Sequence, residues 1–232
     1  MGTIAENIRN IEAEKAVAAI RSGRRAEDVL LCAVTKNHTP EEINEAIEAG
    51  VTDIGENRVQ ELLDKYDKVA PVRWHMIGHL QTNKVKYIID KVCLIHSVDS
   101  FKLAEEIDKR AALHGITMDI LLEVNAARDA AKYGVDLENT EKLLRKILEK
   151  CENIKVRGLM TIAPYEENPE EVRPYFSSMR KLYEELSQID HPRSKFNCLS
   201  MGMSNDRVIA VEEGATIIRV GTAIFGERNY NL

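Results

Sequence analysis

Ala33-Val34-Thr35-Lys36 places an amine directly after a run of apolar residues, at the carboxyl end of a candidate strand. An amine in that position loses hydration, which lowers its pKa and frees the neutral nucleophile. Neutral amines add to aldehydes to form Schiff bases. A solvated lysine at a loop start has the same local sequence, so Lys36 by itself leaves both readings open.

A second group of residues lies near the other end of the chain. Leu199-Ser200-Met201-Gly202-Met203-Ser204 runs from an apolar segment toward a predicted helix, Asn205–Glu213. Ser200 and Ser204 carry hydroxyls, and Gly202 lets backbone approach a ligand closely. Ser204 is also placed to cap the helix, whose N-terminus attracts anions. The next apolar segment ends Arg219-Val220-Gly221-Thr222, a second turn of small residues. An ordinary capped helix and a tight turn would read the same way singly. Two such turns in adjacent units match the phosphate-binding loops of α/β barrels. Arg219 lies inside the last apolar run, where a charge is costly unless paired. It could face a pyridine nitrogen, as a donor that keeps that nitrogen unprotonated, or it could turn outward into a salt bridge.

These residues need a scaffold that brings residue 36 to residues 200–222. Eight short apolar runs supply the strands: Val29–Thr35, Asp53–Gly55, Arg73–Gly78, Leu94–Val98, Asp119–Val124, Lys155–Leu159, Asn197–Met201 and Thr216–Gly221. Little polar alternation within them suits strands buried on both faces. Helical segments fill the gaps. Thr39-Pro40-Glu41-Glu42 and Asn168-Pro169-Glu170-Glu171 read as helix starts, and Gly50 and Gly214 as stops. Ile4, Ile8, Ile11 and Ile20 predict an extra N-terminal helix with one apolar face. The expected fold is a single (β/α)8 barrel over residues 1–232, with an open doubly wound sheet as the alternative. No linker or low-complexity tract divides the chain.

Composition excludes several function classes. Lys plus Arg total 32 against 38 Asp plus Glu, a net charge of −6, which does not fit a general nucleic-acid binder. No apolar run approaches the ~18 residues of a membrane span, and the N-terminus lacks a secretory core. The cysteines at 32, 93, 151 and 198 form no CxxC pair and read as reduced thiols of a cytoplasmic protein. His75 and His79 flank a strand end rather than share a helix face, so no metal site is expected. Lys84, Lys132 and Tyr133 read as solvated or loop residues.

The segments AVTKNHTPEEI, DIGENRVQEL, WHMIGHLQTNK, HSVDS, VNAARDAAKYG, GLMTIAP, LSMGMSND and IRVGTAIFGER are similar to the YggS/PROSC family of pyridoxal 5′-phosphate (PLP) homeostasis proteins. The likeness runs in order from about residue 30 to 230, and LSMGMS with VGTAIFG is its specific part. It implies a barrel like the N-terminal domain of alanine racemase, of the kind called fold type III. It also implies PLP held on Lys36 and a role in vitamin B6 supply rather than turnover. By position, it implies phosphate contacts at Ser200, Gly221 and Thr222, with Met201 and Ser204 beside them. Arg219 would face the ring nitrogen and Asn57 would lie near the ring or the lysine. His79, and Ala126-Ala127-Arg128-Asp129 after Asn125, depart from the common pattern. The expected partners are PLP and PLP-requiring apo-enzymes, and the expected state is a monomer. A racemase is the competing function. It needs a base on each face of the substrate α-carbon, and the second base of the resembling racemases comes from a further domain not expected here. A Schiff-base aldolase on a phosphate-binding barrel is the third reading.

Overall fold

The computed structural model describes residues 2–129 and 132–226. Eight parallel strands close on themselves: β1 (Leu30–Val34), β2 (Asp53–Glu56), β3 (Arg73–Met76), β4 (Leu94–Val98), β5 (Met118–Glu123), β6 (Ile154–Met160), β7 (Ser194–Ser200) and β8 (Ile217–Val220). β8 returns to pair with β1, with Ala33 opposite Val220. The closed barrel is the expected fold, and the open sheet is excluded.

Alternation sorts the strand residues. Cys32, Val34, Ile77, Leu94, Leu121, Met160 and Ile217 pack together inside the barrel. Their neighbours, such as Ala33, Ile54, Met76, Ile95 and Ile218, join the larger core under the helices. The helices are α1 (Ile4–Arg21), α2 (Pro40–Glu48), α3 (Val59–Tyr66), α4 (Phe101–Leu113), α5 (Leu137–Lys150), α6 (Arg173–Leu186), α7 (Arg207–Glu212) and α8 (Thr222–Phe225). In α4, Leu103, Ala104, Ile107 and Ala111 are buried, one stripe at helical spacing. Thr39 caps α2 in a reciprocal box with Glu42, and Pro40 opens it. Gly50 and Gly214 follow α2 and α7 with positive φ of 105° and 102°, as helix stops require. Between β3 and β4 the strand–helix rhythm breaks: a short 3-10 helix, Thr82–Tyr87, replaces an α-helix.

α1 is the expected extra helix, but its buried face differs from the expected one. Ile8 and Ile11 are buried and continue into Lys15, Ala18 and Ala19, whereas Ile20 is 69% exposed. Nine residues beyond Ile11 is two and a half turns, which puts Ile20 on the opposite side. Asn7 Nδ2 donates to Ile224 O at 2.8 Å, so α1 braces α8, the element after the last strand.

Candidate functional site

The carboxyl ends of the strands gather the chemical residues, as the barrel topology demands. Lys36 occupies the turn after β1 and is half-buried. That turn is fastened from below. Lys65, on α3, reaches Thr35 O at 2.8 Å, Glu56 Oε1 at 2.8 Å and Glu61 Oε1 at 2.7 Å. Thr35 Oγ1 donates to Glu56 Oε1 at 2.7 Å, and the amide of Asn37 donates to Glu61. Asn37 holds a left-handed φ of 64°, a conformation Asn tolerates better than most residues.

The turn after β8 lies against this one. A methyl group added at Gly221 would sit 3.2 Å from both Cβ and O of Val34, two residues before Lys36. His38 stacks on Phe225 of α8 at 4.3 Å between ring centroids. Ser204 joins the same corner, because its Oγ accepts from Ala223 N at 3.3 Å. Lys36, Ser204, Gly221 and Thr222 therefore meet at one edge of the barrel mouth.

One expectation about the β7 loop is corrected. Ser204 does not cap α7. That helix starts at Arg207, two residues later than expected, and Asp206 precedes it without a side-chain cap. Gly202 holds a φ of 93°, and a Cβ there would lie 2.4 Å from Ala210 Cβ. Met201 is fully buried in the outer core. Ser200 is also fully buried, and its hydroxyl contacts Arg219 and His96.

Arg219 turns inward and is 4% exposed; the outward salt bridge is excluded. Its Nη1 donates to Ser200 Oγ at 2.5 Å and its Nη2 to Thr161 O at 2.8 Å. Two of its five N–H donors are thus committed to the described residues. Ser200 Oγ lies 3.0 Å from His96 Nδ1, and His96 Nε2 lies 2.9 Å from His75 Nδ1. His75 Nε2 reaches Asp53 Oδ1 at 2.8 Å. Burial holds His96 well below the usual histidine range. At Asp53, hydrogen bonds from His75, Arg73 and Thr52 outweigh burial and hold the carboxyl below its ordinary value.

Asn57 follows β2, and its Oδ1 is buried with no hydrogen-bond partner among the described residues. Glu123 ends β5 on the same inward side as Leu121; it is 6% exposed, and its Oε2 also lacks such a partner. Burial, reinforced by Asp99 and opposed by Arg219, pushes this carboxyl up to about 7. A carboxyl whose folded pKa exceeds its unfolded one binds its proton more tightly when folded. The stability it contributes is full below the ordinary value of 4.5 and is lost as pH rises to about 7. Glu123→Gln is expected to flatten that slope and to exceed the wild type at pH 8 by about 1–3 kcal/mol. Thermal melts at about pH 4 and 8 check it: the two proteins must converge at the lower pH.

The weaker signals disperse. His75 is inside the barrel, whereas His79 is at the rim, stacked on Tyr133 at 3.8 Å between centroids and 3.8 Å from Asp99. Lys132 Nζ donates to Ala163 O at 3.2 Å, tying the β5 and β6 loops. Lys84 sits over the Tyr87 ring. Asn125 closes its own loop by exchanging hydrogen bonds with Asp129. Residues 130–131 and 227–228, within two of the compared segments, lie outside the described residues. Sequence reading missed Lys65, Glu56, Glu123, His96 and Thr161. The one available signal was a polar residue inside an otherwise apolar run, as in Leu94-Ile95-His96-Ser97-Val98.

A family model for the alanine racemase N-terminal domain matches residues 6–229. The pyridoxal phosphate homeostasis protein of Aquifex aeolicus (strain VF5) is 49% identical over 219 residues, covering 92% of this chain and 93% of the relative. The chain belongs to the alanine racemase N-terminal domain family, among the pyridoxal phosphate homeostasis proteins. Its family resemblance extends to solved structures. PipY of Synechococcus elongatus PCC7942, solved with PLP bound, is 36% identical with a TM-score of 0.81, over 97% of this chain and all of PipY. An alanine racemase of Clostridium difficile 630 is 15% identical with a TM-score of 0.73, over 99% of this chain and 58% of the racemase. That last likeness shows the fold alone. Among the described residues, no helix is long and apolar enough to cross a membrane.

Proposed function

We propose that this chain holds PLP at the mouth of its barrel and serves in intracellular PLP homeostasis and supply, without turnover of its own. The observation that carries the reading is the seating of the Lys36 turn against Gly221 and Thr222, with Arg219 buried beneath. The donor set fits the group. PLP needs an amine, an anion cradle, and a donor for its ring nitrogen. Lys36 supplies the amine. Ser204, Gly221 and Thr222 form the cradle, where a side chain at Gly221 would press on Val34. Arg219 keeps N–H donors in reserve. The unpartnered Asn57 Oδ1 is an acceptor left for the ring substituents or the lysine.

PLP supplies an electrophilic aldehyde, which a neutral lysine amine captures covalently and reversibly. The protein orients that amine through the clamp beneath Thr35 and Asn37, and retains the phosphate through the paired turns. Arg219, always a donor, holds the ring nitrogen free of a proton, which weakens the electron sink that turnover would use. Within this proposal Ser200 and Met201 act at one remove, Ser200 on Arg219 and Met201 by packing. The partners would be PLP and PLP-requiring apo-enzymes that receive it, the working state a monomer, and residues 1–232 one domain. Four free thiols suit a reducing cytoplasm. Borohydride reduction of the PLP-loaded protein, followed by peptide mass mapping, tests the reading. Phosphopyridoxyl is expected on the peptide holding Lys36; label mainly on another lysine overturns the assignment.

A further inference from the structure

The buried row of polar side chains behind Arg219 has no assigned role, and its hydrogen atoms can be placed by elimination. An arginine only donates, so Ser200 Oγ accepts from Arg219 Nη1 at 2.5 Å. The single Ser200 proton is then available to His96 Nδ1, 3.0 Å away, provided that nitrogen is bare. At the far end, Asp53 takes Arg73 Nε at 2.8 Å, Arg73 Nη2 at 2.5 Å and Thr52 Oγ1 at 2.6 Å. It is an ionised acceptor, so His75 Nε2 carries the hydrogen across the 2.8 Å separation. The middle link, 2.9 Å between His96 Nε2 and His75 Nδ1, is then satisfied with His96 donating. With both imidazoles neutral, every link has one donor and one acceptor only if each ring carries its hydrogen on Nε2.

We propose that Asp53, His75, His96 and Ser200 form a one-way hydrogen-bonded relay whose direction is set by the Asp53 carboxylate and whose product is a fixed donor geometry at Arg219. The four are positioning residues. The relay crosses the barrel interior from the amino ends of β2 and β3, where Asp53 and Arg73 stand, to the carboxyl end of β8. Its His96–Ser200 link joins β4 to β7, strands that are not neighbours in the closed sheet. It thus ties the two halves of the sheet beneath the candidate PLP ring.

A proton added to His75 would set Nδ1–H against the Nε2–H of His96 and force the second ring to reverse. Ser200 would then receive from both sides and lose its donor link. Arg73 and Arg219 flank the row with positive charge; Asp53 stands at one end, and Asp206 and Glu123 act on Arg219. The neighbouring thiols, Cys32 and Cys93, are pushed up by burial, so they stay protonated at neutral pH.

The effect on PLP rests on the function proposed above; the ordering of the relay does not. Protein carrying 15N-labelled histidine, with no PLP added, is expected to give Nε2–H imidazoles at both positions at about pH 8, where histidine is ordinarily neutral. A cation or an Nδ1–H tautomer at either overturns the relay. With PLP added, Ser200→Ala is expected to bind about tenfold more weakly and to shift the visible absorption band, while Ser200→Thr restores both. Unchanged affinity and band in the alanine variant would remove Arg219 positioning from the proposal. A wild type that binds no PLP while giving the expected nitrogen signals would sink the functional reading and leave the relay standing.

Discussion

Lys65→Met is expected to lower stability by about 3–5 kcal/mol, the usual cost of removing one partner from a buried ion cluster. Lys65 is 7% exposed and Glu56 is fully buried. The ammonium supplies hydrogen bonds to two carboxylates and to the Thr35 carbonyl. Without it, Glu56 keeps only the Thr35 hydroxyl, beside the second acid, Glu61. Burial already pushes Glu56 up, against the pull of Lys65. In the variant it is expected to take a proton more readily still, so the loss should shrink as pH falls. For a chain of this length the melting temperature should fall by about 6–20 °C. Urea and thermal unfolding at two pH values measure this. A loss below ~1 kcal/mol would mean that the cluster roughly breaks even against its desolvation cost. Adding Glu56→Gln to Lys65→Met should recover part of the loss, since a neutral amide is cheaper to bury than a carboxylate.

Lys36→Ala separates the chemistry from the scaffold. It should change stability by less than about 1 kcal/mol, because Lys36 is half-buried at a loop and lies outside the core. Covalent PLP after borohydride treatment should fall to background, and the visible absorption of the lysine adduct should vanish. Some PLP should still bind, through Ser204, Gly221 and Thr222. Equilibrium dialysis alongside absorption spectra distinguishes the two contributions. Full retention of the band would show that another amine captures the aldehyde. Rapid exchange of the α-hydrogen of added amino acids with scrambling of configuration would favour a racemase over a carrier.

Most of the scaffold was legible because parallel barrel strands are dry on both faces and write themselves as apolar runs. All eight candidate runs contain or overlap an observed strand. Boundaries moved where polar residues sit inside strands, as at Ser194–Ser200, which starts three residues before the expected run. Ile20 departs because an apolar residue joins a helix face only when its phase matches, and it falls on the far side of α1 from Ile11. The Ser204 cap failed because the chain makes a further turn before α7, and the hydroxyl finds the Ala223 amide instead.

Local order in the chain was enough to determine the barrel, the strand that precedes Lys36, and the two small-residue turns of the last two units, since each depends on residues close together in sequence. Only the folded chain decided which polar side chains point inward and which of them meet. Ser200 and His96 are 104 residues apart in sequence and 3.0 Å apart across the barrel. Closure of the sheet creates that proximity and buries both side chains, which strengthens the bond between them. The destination of each buried donor is therefore a property of the closed barrel, not of any segment.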